Sequence, residues 1–364
     1  MAALTLDILE VSGPPSAMGE AQGEHWREQI QAFVDMRFAA MRSYGSERGQ
    51  PKLVDSLSEV ARQSMDIHTA WDGPGMEEHR GIAQGAKVDS VALYAATQMT
   101  DMRDVVLLGE QAPGHDFAAD AEGCTSIMVP PTYSRHGHAW AGQTWDLNPQ
   151  DVDFVVGVQR RPLAGPATFS VTCAGCLTLM GGNEHGVAVG TTNLKTLGAK
   201  PGVGYLGVLH RAIRCETAAQ ASALVEKAPV AAAHSYWMAD TQTRHEWERS
   251  PSGAYLRDAG EQPLGRSNHC LADEHARVQA EPTNSSSAAR LSRVQSMLLE
   301  GQVDESRLLA IFSDRSDGVD SINRYAEDDQ GTATDAVLYI NLETRTVWAC
   351  RGPADRGQWV RRSL

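Results

Sequence analysis

The apolar residues near the start of the chain repeat at the three- and four-residue intervals of a single helix face. They are Trp26, Ile30, Phe33, Val34, Phe38 and Met41. This spacing predicts one long helix over residues 16–42. Two more helices are predicted at residues 54–66 and 89–101, the second with Asp89 as its N-cap. The chain therefore opens with a helical block.

Beyond a polar segment at residues 111–122, apolar and polar residues alternate in short runs bounded by proline or glycine, which is typical of strands. Strands are predicted at residues 124–129, 137–145, 153–158, 167–173 and 186–192. The later pattern predicts a helix at 205–227, strands within 235–257, helices at 287–300 and 304–312, and a hairpin of 335–342 with 346–350. Thr217 and Gln220 have the spacing of a capping box.

Blocks of helices thus alternate with blocks of strands, and single helices do not separate single strands. Neighbouring parallel strands need a long crossover between them, so this order favours stacked antiparallel sheets faced by helices over a doubly wound parallel sheet. The chain has 364 residues, of which 42% are hydrophobic and 21% charged, as in a soluble globular protein. We expect a single α+β domain over residues 1–364.

The charge of the chain excludes several kinds of partner. The formal net charge is -14, and the cations are scattered, with only five lysines among them. A nucleic-acid binder needs a clustered basic surface, so nucleic acid is not an expected partner. Residues 1–13 carry neither a basic segment nor a long apolar run, which predicts no signal peptide, no membrane span and a cytoplasmic protein.

Three short motifs lack the context that would make them functional. A G-x-G-x-x-G run at residues 202–207 follows a polar turn and not a buried strand. Cys173 and Cys176 have C-x-x-C spacing, but no second pair of ligands follows. His136 and His138 lack a third ligand. We therefore predict no metal and no organic cofactor; a redox or zinc protein that uses Cys173 and Cys176 is the minor alternative.

Cys124 lies where the polar segment meets the first predicted strand. A single cysteine is more often a buried structural thiol, but five motifs occur in order around and after it. They are Glu122-Gly-Cys-Thr-Ser126, Gly142-Gln-Thr-Trp-Asp146, Gly182-Asn-Glu-His-Gly186, Ser267-Asn-His-Cys270 and Ser287-Ala-Ala-Arg-Leu-Ser-Arg293. This series resembles the motif series of the isopenicillin N acyltransferase-like family of cysteine Ntn-hydrolases. That family is similar to acyl-coenzyme A:6-aminopenicillanic acid acyltransferase.

The resemblance implies a four-layer αββα sandwich, two antiparallel sheets between helical layers. It also implies that the Cys124 thiol attacks the carbonyl of Gly123 and cleaves the chain. An α chain of residues 1–123 and a β chain of residues 124–364 would then form a heterodimer. Whether such heterodimers assemble further into a homo-oligomer is left open. The freed amine of Cys124 has an ordinary pKa of about 7.7 to 8.0 and can act as the base for its own thiol.

The resemblance also assigns roles to four other residues. Asp146 would hold the new ammonium group, Asn183 and Asn268 would donate to the oxyanion, and Arg290 would compensate the thiolate. Each has an ordinary alternative: a strand-end carboxylate, turn asparagines and a solvated helix arginine.

Three residues are candidates for substrate binding, namely Trp145, His234 and Tyr236. The chain departs from relatives at two positions. Gln143 replaces an arginine of bile-salt hydrolases, and Thr144 replaces an asparagine common in penicillin acyltransferases. These departures weaken any inference about bile acids or penicillins.

The sequence therefore predicts an autoproteolytically activated N-terminal-cysteine amidohydrolase. It would cleave a small-molecule amide or acyl-amine through a thioester acyl-enzyme. An acyltransferase that passes the acyl group to an amine is the alternative, and a non-catalytic relative that binds an acyl-amine is a further one.

Overall fold

The computed structural model describes residues 4–47, 49–50, 52–109 and 123–364, so the predicted polar segment at 111–122 lies outside the described residues. The first described part contains short strands followed by helices. These elements are β1 (Leu4–Thr5), β2 (Asp7–Gly13), α1 (Pro15–His25), α2 (Arg27–Glu47), α3 (Leu53–Trp71), α4 (Gly73–Ala86), α5 (Ser90–Thr97) and α6 (Met99–Leu108).

The part from residue 123 onward contains most of the strands. In chain order they begin with β3 (Thr125–Val129), β4 (Trp140–Leu147), β5 (Val155–Pro162), β6 (Thr168–Cys173), β7 (Met180–Asn183) and β8 (Ala188–Asn193). Then come α7 (Tyr205–Ala212), α8 (Ala218–Lys227), β9 (His234–Ala239), β10 (Arg244–Ser250), β11 (Gly253–Asp258), β12 (Leu264–Arg266), α9 (Asp273–Ala276), α10 (Ser285–Leu299) and α11 (Glu305–Phe312). The chain ends with β13 (Ala333–Asn341), β14 (Thr346–Arg351), β15 (Gly357–Gln358) and β16 (Val360–Ser363).

Most of these strands form two sheets. The eight-stranded sheet has the order β11-β10-β9-β8-β7-β6-β5-β2, and the six-stranded sheet has the order β12-β3-β4-β13-β14-β16. Neighbours within both sheets are antiparallel, as predicted, except that β2 pairs with β5 in parallel. The helices α1 to α6 lie between these two strands in the chain and supply the long crossover that a parallel pair requires.

Strand β13 shows how the layers stack. Ala336, Leu338 and Ile340 belong to the core shared by the two sheets, whereas Val337 and Tyr339 belong to a second core beneath α10 and α11. Alternate side chains of a strand point to opposite faces, so this sheet is buried on both sides. Helices α7 and α8 pack on the other sheet. The predicted α+β fold, a four-layer αββα sandwich, is confirmed.

The single helix predicted over residues 16–42 is wrong. Helix α1 ends at His25 and α2 begins at Arg27, because Trp26 leaves helical geometry with φ -107° and ψ 30°. The indole Nε1 of Trp26 donates a 2.8 Å hydrogen bond to Asp7 Oδ2, which ties the break to strand β2. The apolar spacing continues through the break, so the local pattern does not reveal it.

Two predicted helix caps and the predicted hairpin are confirmed, but the helix predicted at 89–101 is divided between α5 and α6. Asp89 caps α5 by accepting hydrogen bonds from the backbone of Val91 and Ala92. The predicted helix at 205–227 is two helices, and Thr217 caps the second by accepting from Gln220 N at 3.2 Å. Strands β13 and β14 form the predicted antiparallel hairpin. Among the described residues, no helix combines the length and apolar character needed to cross a membrane.

Candidate active site

Cys124 immediately precedes β3 and is almost completely buried. Thr125 pairs with Thr144 in β4, which brings Asp146 beside Cys124 at the same end of the six-stranded sheet. The carbonyl oxygen of Asp146 lies 4.0 Å from Cys124 Sγ and accepts a hydrogen bond from Gly123 N at 3.4 Å. In the uncut chain the nitrogen of Cys124 is the amide nitrogen of its bond to Gly123.

Two residues from distant parts of the chain form hydrogen bonds with the backbone of Cys124. Its N–H donates to Asn268 Oδ1 at 2.7 Å, and Arg290 Nη2 donates to the same oxygen at 3.0 Å. Arg290 Nη1 donates to the carbonyl of Cys124 and, at 3.1 Å, to Thr125 Oγ1. Arg290 projects from α10, and Asn268 lies just after β12. The structure thus brings together Cys124, Asp146, Asn268 and Arg290; their catalytic roles stay predictions.

The carboxyl group of Asp146 is buried in an unusual electrostatic setting. Burial raises the pKa of Asp146 to about 6, against the opposing effects of Arg324, Arg290 and the hydroxyls of Thr334 and Thr144. Within the described residues, neither carboxylate oxygen has a hydrogen-bonding partner of ordinary geometry. A buried carboxylate without such donors is costly to ionise. Asp146 can therefore gain or lose a proton near neutral pH.

Arg324 is part of this cluster and was missed by the sequence analysis. Its guanidinium donates to the hydroxyls of Thr332 and Ser286. A Cβ added at Gly123 would lie 2.7 Å from Arg324 Nη1, closer than real contacts allow. Any side chain at position 123 would therefore require the Arg324 guanidinium to shift. No sequence motif contains Arg324, because it approaches Gly123 only when distant parts of the chain fold together.

Arg290 and Arg324 act on each other as like charges. Burial, with Arg324 as the next cause, lowers the pKa of Arg290 to about 10. Arg290 consequently stays cationic at neutral pH and supplies positive charge beside Cys124.

The structure does not bring Asn183 into this cluster, which corrects the prediction of its role. Asn183 is fully buried at the end of β7. Its Nδ2 donates to the carbonyls of Ile213 and Cys215 at 2.8 and 2.7 Å, and its Oδ1 accepts from the backbone of His185 and Val187. Both amide protons are therefore used in holding a turn, and neither is available for an oxyanion.

A different asparagine, Asn193, lies at the cleft that Cys124 lines. That cleft is lined by Thr100, Cys124, Trp145, Asp146, Leu147, Leu179, Thr191, Asn193, Tyr205 and His234. The backbone carbonyl of Asn193 accepts a 3.1 Å hydrogen bond from Asn268 Nδ2. Thr191 and Asn193 are two residues apart on β8 and therefore share a face, but no sequence motif contains Asn193.

Two of the three predicted substrate-binding residues, Trp145 and His234, line the cleft. His234 is held by Asp101, whose Oδ1 lies 2.6 Å from its Nε2, and its ring stacks on Tyr205. Tyr236 is fully buried, with its ring 5.6 Å from that of His234, and it is not among the cleft-lining residues. The structure does not place Tyr236 at the cleft, and a role for it in substrate binding stays a prediction.

Gln143, which departs from the relatives' pattern, is fully buried between the sheets. Its Oε1 accepts hydrogen bonds of 2.7 Å from Thr191 N and from Trp237 Nε1. The side chain therefore joins β4 to β8 and β9, and it does not line the cleft.

The motifs set aside earlier have ordinary structural positions. Residue Gly204 is the N-cap of α7, so the glycine run is the start of a helix. Cys173 and Cys176 are buried, and burial raises the thiol pKa of both, that of Cys176 to about 12. In the described parts of the chain, no cluster of three or more His, Cys, Asp or Glu side chains has the arrangement of a metal site.

Comparison with known proteins gives one family match. A profile of the acyl-coenzyme A:6-aminopenicillanic acid acyl-transferase family matches residues 134–356, more than half of the chain. The chain belongs to this family. The matched segment contains Asp146, Asn193, Asn268 and Arg290 and begins after Cys124.

Two solved structures are similar over part of the chain. Penicillin V acylase from Agrobacterium tumefaciens is 14% identical with a TM-score of 0.46, over 66% of this chain and 86% of that one. A variant of conjugated bile acid hydrolase from Clostridium perfringens is 12% identical with a TM-score of 0.43, over 66% of this chain and 92% of that one. The assignment to the acyl-transferase family depends on the sequence match and not on these likenesses.

Proposed function

We propose that this protein is an N-terminal-cysteine amidohydrolase that matures by cutting its own chain after Gly123. The observation that carries the proposal is the 2.7 Å hydrogen bond from Cys124 N to Asn268 Oδ1, in a buried network with Arg290. This network fixes the orientation of the very nitrogen that cleavage would free. The family match supports acyl transfer as the chemistry.

In the maturation step, Cys124 Sγ attacks the carbonyl carbon of Gly123. The carbon–nitrogen bond breaks, a carbon–sulfur bond forms, and the nitrogen of Cys124 takes up the proton lost by the thiol. Water then hydrolyses the thioester and releases the carboxylate of Gly123 and a free thiol. The products are an α chain of residues 1–123 and a β chain of residues 124–364, which stay together as a heterodimer.

In turnover the same atoms act on a substrate. The amine of Cys124 takes the thiol proton, Sγ attacks the amide carbonyl, and the ammonium returns the proton to the leaving amine. Hydrolysis of the thioester completes the cycle. Asp146 holds the ammonium, and the cationic Arg290 compensates the charge that develops on sulfur.

The oxyanion of the tetrahedral intermediate needs donors that face the cleft. We assign this role to Asn193 together with Asn268, and no longer to Asn183. Asn193 lines the cleft with Cys124, and the side chain of Asn268 lies between the two. Amide donors preorganised in a buried site are among the largest single contributions to acyl-transfer rates.

The name of the family favours a second candidate function, transfer of the acyl group from a thioester or amide to an amine. Hydrolysis and transfer share every step up to the acyl-enzyme and differ only in the acceptor. They are separated by supplying acylated substrates with and without an added amine and identifying the acylated products by mass. A free acid as the dominant product at saturating amine identifies the hydrolase.

Intact mass spectrometry of the recombinant protein tests the central step. The wild-type protein is expected to show the masses of two chains, one that ends at Gly123 and one that begins at Cys124. The Cys124→Ala variant is expected to show the mass of one uncut chain. Cys215→Ala, at a half-buried thiol outside the cleft, is the matched control and is expected to split. A wild type that never splits would overturn the proposal and favour a non-catalytic relative that binds acyl-amines.

A further inference from the structure

A cavity of about 310 Å³ lies between the eight-stranded sheet and the helices α1, α4 and α7. It shares no lining residue with the cleft that contains Cys124, and we call it the helix-side cavity. Its volume is at the lower end of the range of about 300 to 1,000 Å³ that is typical of small-molecule sites. The cavity can therefore hold a compact ligand, and its lining determines which kind.

The walls of the helix-side cavity are mainly apolar. Pro15 begins α1 and Pro74 lies in the first turn of α4, and neither proline has an N–H to offer a ligand. Met18 adds a buried apolar side chain. Leu163, in the loop between β5 and β6, also lines the cavity and is 81% exposed, which indicates that the cavity opens to solvent there. These walls suit the apolar body of a ligand.

Two buried polar groups that line the cavity lack hydrogen-bonding partners. Arg160 on β5 and Thr168 on β6 are paired directly across the two strands, so their side chains lie on the same face of the sheet. Arg160 Nε donates to Glu78 Oε1 at 2.7 Å and Nη1 donates to Ser170 Oγ at 2.7 Å, but Nη2 has no acceptor among the described residues. Thr168 Oγ1 is likewise without a partner there, and both side chains are almost fully buried. Because an unpaired buried donor is costly, this arrangement points to a ligand that completes it.

The charged groups that line the cavity already compensate one another. Arg160 is in the ion pair described above, and Arg214 is paired with Asp72. Burial lowers the pKa of His210, so its imidazole is neutral at neutral pH. Glu77, the remaining charge among the lining residues, is exposed to solvent. A charged ligand would lose its hydration without gaining an unpaired buried counter-ion, so a neutral ligand is favoured.

We propose that the helix-side cavity binds a small neutral amide with an apolar body, at a site separate from the cleft of Cys124. The carbonyl oxygen of the amide accepts from Arg160 Nη2, and its N–H donates to Thr168 Oγ1, so both unpaired groups gain a partner. The apolar body lies against Met18 and the prolines. This inference goes beyond the proposed function and does not depend on it.

A fluorine NMR titration of the full chain tests the site with three probes that share one apolar body. They are para-fluorophenylacetamide, the para-fluorophenylacetate anion and the para-fluorophenethylammonium cation. The Cys124→Ala variant is used so that no probe is consumed. The amide is expected to bind with a dissociation constant of about 1 mM, as is usual for a ligand of this size. The two ions are expected to bind about tenfold more weakly or worse, because neither finds an unpaired counter-ion.

Substitutions of threonine in this background assign the binding to the cavity. Thr168→Val removes the hydroxyl at nearly constant volume and should weaken binding of the amide about five- to tenfold. Thr168→Ser keeps the hydroxyl and should keep most of the affinity, which separates the lost hydrogen bond from a disturbance of the fold. Thr172→Val is the matched control, because Thr172 is an equally buried threonine of β6 that does not line the cavity, and it should leave binding unchanged.

A further variant leaves the buried groups untouched. Leu163→Asp replaces a largely exposed side chain, so the fold should be unaffected. It removes an apolar contact at the opening of the cavity and should weaken binding of the amide about threefold or more. This variant keeps the test decisive if Thr168→Val does not fold.

Failure of the amide to bind saturably would overturn the inference and indicate that water fills the cavity. Binding that is unchanged in Thr168→Val, or in Leu163→Asp, would place the amide elsewhere and would also overturn it. Binding of either ion as tightly as the amide would overturn the assigned ligand class. None of these results bears on maturation, so the splitting of the chain after Gly123 tests the proposed function separately.

Discussion

Two clusters of buried polar groups lie at opposite ends of β7 and β8, and they differ in how completely they are hydrogen-bonded. At one end, Asn183 makes four hydrogen bonds within a turn and to the end of α7. At the other end, near Asn193 and Cys124, the carboxylate of Asp146 lacks donors of ordinary geometry among the described residues, and its pKa is raised. The first cluster has the properties of a stabilising device, and the second those of a reactive one.

The difference shows why a residue type alone does not locate chemistry. A buried amide whose donors and acceptor are all used stabilises the fold and has nothing left for a ligand. A buried carboxyl group that is poorly compensated weakens the fold and titrates in a useful range. We therefore expect substitutions in the first cluster to cost stability, and substitutions in the second to cost activity.

Replacing the fully bonded asparagine has the largest expected effect. Asn183→Ala removes four hydrogen bonds at about 1 kcal/mol each, so the free energy of unfolding should fall by about 4 kcal/mol. The variant that does fold should turn over substrate at a rate within about twofold of wild type, because its side chain does not reach the cleft. Urea unfolding and kcat of the folded fraction measure the two quantities. If Asn183→Ala were as stable as wild type but had a greatly lowered kcat, Asn183 would belong to the reactive cluster and not to the stabilising one.

Replacing the cleft asparagine should have the opposite signature. Asn193→Ala is expected to lower kcat by about one-hundred- to one-thousandfold, or about 3 to 4 kcal/mol of transition-state stabilisation, with KM little changed. Single-turnover kinetics against the best amide substrate give the value, and the melting temperature serves as the control. An unchanged kcat would mean that Asn193 is not an oxyanion donor.

Asn183 and Asn193 also show which residues of the candidate site can be predicted from the sequence. The motif series located Cys124, Asp146, Asn268 and Arg290, because each stands in a short run whose order along the chain is itself informative. The same series pointed to Asn183, since a Gly-Asn-Glu run is a conspicuous turn, and did not include Asn193, which stands at the end of a strand. Which of the two faces the thiol depends on how β8 packs across the gap between sheets.

The layers were predictable for a similar reason. Alternating blocks of helices and strands indicate stacked sheets, and period-two runs gave most strands to within a few residues. The break at Trp26 and the parallel pairing of β2 with β5 depend on contacts between distant segments. The position of Arg324 also depends on such contacts, and no local pattern contains it.

The raised pKa of Asp146 predicts a gain in stability from its neutralisation. A carboxyl group whose pKa rises from 3.8 to about 6 on folding destabilises the fold progressively as the pH climbs through that interval. Asp146→Asn removes this penalty, so above pH 6 the variant should be more stable by at most about 3 kcal/mol. The gain should shrink as the pH falls towards 4, and turnover should be lost at every pH.

This prediction is measured in the uncleaved chain, where the pKa applies. Urea unfolding of Cys124→Ala is compared with that of the double variant carrying Asp146→Asn, at pH 5 and pH 8. Asp35→Asn in the same background is the control, because Asp35 is an exposed carboxylate on α2. A double variant that is less stable at pH 8 would place Asp146 among the stabilising groups and remove the contrast with Asn183.

The smallest expected effect concerns the residue before the nucleophile. In Gly123→Ala, the new methyl group would lie 2.7 Å from Arg324 Nη1, and the guanidinium would have to move within its contacts to Thr332 and Ser286. Maturation should slow by about tenfold, equivalent to about 1.4 kcal/mol, because the carbonyl under attack is displaced while Cys124 stays in place. Time-resolved mass spectrometry gives the rate. Once matured, the enzyme should have normal kcat, since residue 123 is no longer bonded to the nucleophile; a lasting loss of kcat would show instead that Arg324 acts in turnover.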